Sequence, residues 1–86
     1  MPQTITIYST TNCSECHMLK GWLDKRGVAY TAKITDESDE AMMEFMALND
    51  GMLAVPLTVI DQPDGSQEKI VGFDAGAFNK ILQPAA

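Results

Sequence analysis

The sequence predicts one α/β domain, a four-stranded mixed sheet with helices on both of its faces, in the order βαβαββα. Two observations carry that expectation. Segments of two-residue apolar alternation and segments of helical periodicity follow one another along the chain, with a turn signal at each change of period. The first helical segment also lies between two strand segments in so short a span that it reads as a right-handed crossover joining parallel strands. A chain of 86 residues is expected to form a single domain over 1–86, with one modest core.

The elements follow in order. Thr4 to Tyr8 alternates polar with β-branched or aromatic residues and puts Ile5 and Ile7 on one face, the mark of a strand. Ser9 to Asn12 is a polar loop, and Asn12 is suited to cap the helix after it. That helix runs to about Arg26, with Leu19, Trp22 and Leu23 as its apolar stripe and Lys20, Asp24, Lys25 and Arg26 toward solvent. Gly27 supplies its stop. Val28 to Ile34 reads as the second strand. Asp36 or Ser38 caps the second helix, and the acidic run from Asp36 to Glu40 reads as a solvated helix start. Ala41, Phe45 and Leu48 form its apolar face. Met42, Met43 and Met46 broaden that face, with Met43 and Met46 expected to fill core gaps. After Asn49-Asp50-Gly51, the loop Met52 to Ala54 leads to Val55-Pro56 and a third strand, Leu57 to Ile60. Pro63-Asp64-Gly65 is a turn, and Lys69 to Val71 returns as an antiparallel fourth strand. Asp74 caps the last helix, with Phe73 placed to staple onto Phe78. Ile81 and Leu82 continue its buried face, and residues 83–86 are expected to fray.

Charge narrows the function classes. A net charge of −6 argues against nucleic acid or an anionic membrane as a partner, and permits a protein with a basic docking face. No apolar run approaches the roughly 20 residues needed to span a bilayer. The start, Met1-Pro2-Gln3-Thr4, has no basic region followed by an apolar stretch, so the cytoplasm is the expected location. There a reversible cysteine pair makes more sense than a stapling disulfide. A monomer is expected.

The pair in question is Cys13 and Cys16, the only two cysteines, in a C-x-x-C spacing between the first strand and the first helix. That context points to redox chemistry. A thiolate is the nucleophile in disulfide exchange, and the unpaired N–H groups of a helix N-terminus stabilise one. Cys13 is expected to be exposed at that end and to attack a substrate disulfide. Cys16, one turn later and more sheltered, is expected to resolve the mixed disulfide. Three other readings stay open. A structural zinc site wants four ligands, against two Cys and one His here. A purely structural disulfide closes too small a loop to restrict the unfolded chain much. A dimer bridged by an iron–sulfur cluster, with one cysteine ligating from each chain, is the third. His17 either tunes Cys13 or is simply solvated, and Tyr8 and Trp22 read as core.

Four stretches taken together resemble the glutaredoxin family: Ile7-Tyr8-Ser9, Cys13-Ser-Glu-Cys16, Val55-Pro56 and Gly72-Phe73-Asp74. The resemblance covers essentially the whole chain. It implies a thioredoxin-like fold, dithiol–disulfide oxidoreductase activity, and a cis bond before Pro56, which would pack opposite the active cysteines. It also implies substrate contact by Val55, Pro56, Gly72, Phe73 and Asp74. Met52 and Leu53 lead into that segment, where exposed apolar side chains would offer a docking surface and the Val55 backbone would pair with an extended substrate. Glutathione-using members typically carry Pro-Tyr between the cysteines, a lysine shortly before them and a Gly-Gly pair ahead of the last helix. This chain has Ser14-Glu15, Ser9-Thr10-Thr11 and Val71-Gly72 instead. Two branches look closer. The polar residue before Cys16 and the Gly72-Phe73 pair are similar to NrdH-redoxins. That likeness implies an electron donor to protein disulfides, ribonucleotide reductase among them, recycled by thioredoxin reductase and NADPH. The run Cys16-His-Met-Leu-Lys20 is similar to mycoredoxins, which implies a low-molecular-weight thiol as reductant. The NrdH-like reading is favoured. No bound cofactor or metal is expected beyond the redox-active Cys13–Cys16 disulfide, and a non-catalytic cluster carrier or interaction module is the remaining alternative.

Overall fold

The computed structural model describes residues 3–82. Its elements are β1 (Thr4–Ser9), α1 (Ser14–Lys25), β2 (Thr31–Ile34), α2 (Asp39–Leu48), β3 (Leu57–Asp61), β4 (Gln67–Val71) and α3 (Ala75–Ile81), in the expected order. The strands lie β2-β1-β3-β4 across one sheet. β1 and β2 are parallel, with Thr6 opposite Thr31, and β3 is antiparallel to both β1 and β4.

Alternation along the strands builds two cores. Ile5, Ile7, Ile60 and Ile70 meet Leu19 and Leu23 of α1 and Phe78 of α3. Tyr8, Leu57 and Val59 meet Phe45 of α2, with Met42, Leu48 and Val55 around them. The two middle strands are therefore covered on both faces, and Leu57 to Ile60 is buried without a break. One of those residues is polar. Thr58 Oγ1 has no hydrogen-bond partner among the described residues, a burial that costs roughly 1–3 kcal/mol.

Several boundaries move from their expected places. α1 ends at Lys25, and the turn after it is closed by Gly27 N–H to Asp24 O and Val28 N–H to Leu23 O, both 3.1 Å. Gly27 takes the positive φ this closure requires, at 69°. β2 starts only at Thr31. Its partner positions on β1 are Thr6 to Ser9, and the residues before Thr31 find no rung there. Val28 and Tyr30 pack against the first core from a loop instead. Ser38, not Asp36, caps α2, accepting from Ala41 N–H at 3.2 Å. Met43 and Met46 do not fill the core; they are 73% and 41% exposed. The short helix spends its buried stripe on Ala41, Met42, Phe45 and Leu48, which leaves those two methionines on its other side. Lys20 turns inward, its Nζ 3.0 Å from Ser9 Oγ. Phe73 and Phe78 both lean on Trp22, with ring centroids 5.6 and 5.8 Å from the indole, so the expected staple runs through a third ring. The expected fraying of 83–86 lies outside the described residues. No helix among the described residues is long and apolar enough to cross a membrane.

Candidate active site

β1 delivers the chain to the site at Ser9, which is fully buried. The Ser9 carbonyl accepts from Thr35 N–H at 2.8 Å and from Thr35 Oγ1 at 3.3 Å. The turn that follows is tied down by Asp36. Its carboxylate accepts from Thr11 N–H at 3.2 Å and from the Thr11 hydroxyl at 2.6 Å. Those bonds, the hydroxyl's first, hold the Asp36 carboxyl below its ordinary pKa. Asp36 is thus a tether for the loop before the cysteines and not merely part of a solvated helix start.

The cap of α1 is Cys13, not Asn12. Cys13 is extended, and its Sγ accepts from Cys16 N–H at 3.1 Å. A sulfur in that place satisfies one of the orphan amides that a helix start leaves open. Cys13 and Cys16 are joined as a disulfide, with Cα atoms 5.2 Å apart. The two sulfurs are not equivalent. Cys16 is 0% exposed, whereas Cys13 is only half-buried. Glu15 and His17 are exposed on the same first turn.

The peptide between Val55 and Pro56 is cis, as the resemblance implied. Pro56 is buried, and its carbonyl accepts from Gly72 N–H at 2.8 Å, which links the proline loop to the end of β4. Gly72 has φ 83°, and a Cβ there would lie 3.0 Å from Glu15 Oε2. The same Glu15 oxygen accepts from Phe73 N–H. The C-x-x-C turn, the cis-proline and Gly72-Phe73 are therefore fastened to one another. Asp74 spends its carboxylate on the α3 cap, accepting from Ala77 N–H at 3.2 Å. Met52 and Leu53 are exposed, 57% and 66%. Their loop is held by buried Asn49, whose amide donates to Met52 O at 3.0 Å and to Ala54 O at 3.3 Å. On the α2 side of the sheet, Lys33 pairs with Glu44 at 2.6 Å and Tyr8 donates to the same carboxylate. Burial, then the Glu44 bond, pushes the Tyr8 hydroxyl up. Among the described residues, no group of three or more His, Cys, Asp or Glu side chains is placed to hold a metal ion.

The family model described as glutaredoxin matches residues 5–63, more than half of the chain. The chain belongs to the glutaredoxin family. The glutaredoxin-like protein NrdH of Lactococcus lactis is 32% identical over 57 residues, 66% of this chain and 76% of the relative. Among solved structures, the NrdH-redoxin of Escherichia coli superposes with a TM-score of 0.73 at 26% identity, covering 96% of this chain and 99% of that one. It is described as a glutaredoxin-like protein with a thioredoxin-like activity profile. The thioredoxin-like protein BC3987 gives a TM-score of 0.77 at 25% identity, over 92% of this chain and 100% of that one. This glutaredoxin is a thiol–disulfide oxidoreductase of the NrdH-like kind, carrying its redox pair at Cys13 and Cys16.

Proposed function

We propose that this glutaredoxin reduces protein disulfides, with Cys13 as the attacking thiolate and Cys16 as the resolving thiol. The observation that supports these roles is the unequal exposure of the two sulfurs, Cys16 being sealed off and Cys13 reachable. In the reduced protein the Cys13 thiolate attacks one sulfur of a substrate disulfide, and the other substrate sulfur leaves as a thiolate. Cys16 then gives up its proton and attacks Cys13. That releases the second substrate thiolate and closes the Cys13–Cys16 disulfide, so two electrons have passed to the substrate. The positive end of α1 and the Cys16 N–H both favour the Cys13 thiolate.

The partner side of the proposal uses Met52, Leu53 and Val55. Two exposed apolar side chains beside the cis-proline suit a protein surface better than a small polar thiol. An extended substrate segment would lie against the Val55 backbone, with Pro56, Gly72, Phe73 and Asp74 around it. The NrdH-like kinship favours thioredoxin reductase and NADPH as the electron source, the cytoplasm as the place, and a ribonucleotide reductase disulfide as one substrate.

Two recycling assays test this. Insulin reduction is followed with NADPH, once with thioredoxin reductase and once with glutathione and its reductase. The first system is expected to sustain turnover at a rate at least about tenfold above the second, a difference of roughly 1.4 kcal/mol. Turnover through glutathione alone would reverse the assignment of the reductant. Changing Met52 and Leu53 together to Ser is expected to slow insulin reduction about three- to tenfold, as loss of part of a docking surface does. The same change should leave the reaction with a small uncharged disulfide within about twofold, since that substrate needs only Cys13. Equal losses on both, with unchanged thermal unfolding, would remove the docking role.

A further inference from the structure

We propose that Glu15 is a specificity-determining residue, whose carboxylate occupies the Phe73 amide and keeps small anionic thiols away from the disulfide. The proposal rests on the reductase reading above and deepens it by naming the thiols the site refuses.

The argument starts from one contact. Phe73 N–H lies between β4 and α3, free of the sheet ladder, and it donates to Glu15 Oε2. A hydrogen bond to an ionised carboxylate is roughly twice as strong as a neutral one. The contact also needs glycine beforehand. A Cβ on residue 72 would sit 3.0 Å from the same oxygen, tighter than side chains normally approach, so Gly72 leaves the room that the Glu15 carboxylate fills. The backbone here is therefore a seat for a carboxylate, and the chain fills it with a side chain drawn from between its own two cysteines.

The charges around the seat make displacement unfavourable. An incoming carboxylate would have to push Glu15 off the amide and then share the space with Glu15 and with Asp74, one residue beyond Phe73. Asp36 adds a third negative charge at Thr11, two residues before Cys13. Of the basic side chains of α1 and its C-cap, Lys20 is turned in to Ser9, Arg26 lies over the Trp22 ring, and His17 is exposed one residue after Cys16. A neutral segment of a protein substrate meets none of this repulsion, because it needs no anion seat.

The reaction that reads the effect is reduction of the chain's own disulfide. A small thiolate attacks Cys13 Sγ, forming a mixed disulfide while Cys16 leaves as a thiolate and takes a proton from solvent. A second thiolate attacks the small-thiol sulfur. It forms the small disulfide and frees Cys13, so two thiols are oxidised and one protein disulfide is reduced.

The experiment uses oxidised protein and two reductants of similar size, 3-mercaptopropionate and 2-mercaptoethanol, compared at equal thiolate concentration. The quantity read is the ratio of their second-order rate constants, anionic over neutral. Glu15→Ala is expected to raise that ratio about tenfold. Glu15→Gln keeps an oxygen that accepts from Phe73 N–H and is expected to raise it less than about threefold. An unchanged ratio in Glu15→Ala overturns the proposal. Equal ratios in the Ala and Gln variants overturn it as well, because they reduce the effect to plain charge repulsion with no part for the amide. Thermal unfolding of both variants shows whether each is folded, and the Gln variant supplies the test should the Ala variant not fold. Failure of the wild type to reduce insulin would sink the reductase reading, while the ratio, measured on the chain's own disulfide, would still decide the role of Glu15.

Discussion

Cys13→Ser is expected to bring disulfide reduction down to the uncatalysed background. Cys16→Ser is expected to stop after one step and to accumulate a mixed disulfide on Cys13. The asymmetry follows from burial. Cys16, in the first turn of α1, is 0% exposed, so a substrate disulfide is expected to reach only Cys13. A serine hydroxyl in place of Cys13 is not ionised near neutral pH, so the first attack is lost. With Cys13 intact and Cys16 removed, the attack proceeds but nothing within the chain breaks the new bond. Intact-mass measurement after mixing each variant with a substrate disulfide checks both outcomes. An adduct on Cys16 in the Cys13→Ser variant, with none on Cys13 in the other, would exchange the two roles.

Phe78→Ala is expected to cost about 3–5 kcal/mol of stability, a large part of the roughly 5–15 kcal/mol that holds a domain of this size. Phe78 is the fully buried residue of the seven-residue α3 in the first core, with Ala77 and Ile81 packed beside it. It also carries one side of the Trp22 contact, 5.8 Å between ring centroids. Truncation leaves a cavity between the sheet and α1 that a well-packed core closes only in part. The urea midpoint should fall accordingly. Met43→Ala makes the control: that side chain is 73% exposed, and its removal should shift stability by less than about 0.5 kcal/mol. Comparable losses from both would mean that α3 does not depend on Phe78 for its packing.

How much of this was legible in advance depended on the range of the interaction. The strands and helices announced themselves because their signals are local and repeated. Ile5 and Ile7 alternate, Leu19 and Leu23 recur at one helical turn, and Ala41, Phe45 and Leu48 trace a stripe. The cysteine pair was equally plain, since its spacing and its place between strand and helix are both in the sequence. The fastenings around it were not. Glu15 meets Phe73 across 58 positions and Thr11 meets Asp36 across 25, and neither pair has a periodicity to mark it. In the sequence Asn49 is one residue of the stretch after the second helix, and only the path of the following loop turns its amide toward Met52 and Ala54. The shift of the cap from Asn12 to Cys13 has a chemical cause, because a thiol is not among the usual cap residues and its sulfur takes that place here. Met43 and Met46 depart from the expected core positions because α2 is too short to bury more than one side of itself, whatever soft core six methionines in a short chain suggest.

The hydrogen bond from Gly72 N–H to Pro56 O has a thermodynamic meaning for association. It adds one rung beyond the last pair of the β3–β4 ladder, where Leu57 faces Val71, and so carries the rigidity of the sheet out to its rim. Asn49 does the same for the loop on one side and Glu15 for the turn on the other. A rim fastened in this way has lost most of its conformational freedom during folding. A partner that settles on it immobilises little further backbone, and ordering one side chain at an interface already costs about 0.5–1.5 kcal/mol. For the docking face proposed above, that makes the rim preorganised, with affinity expected to be set by what the partner brings and not by any need to arrange the protein first.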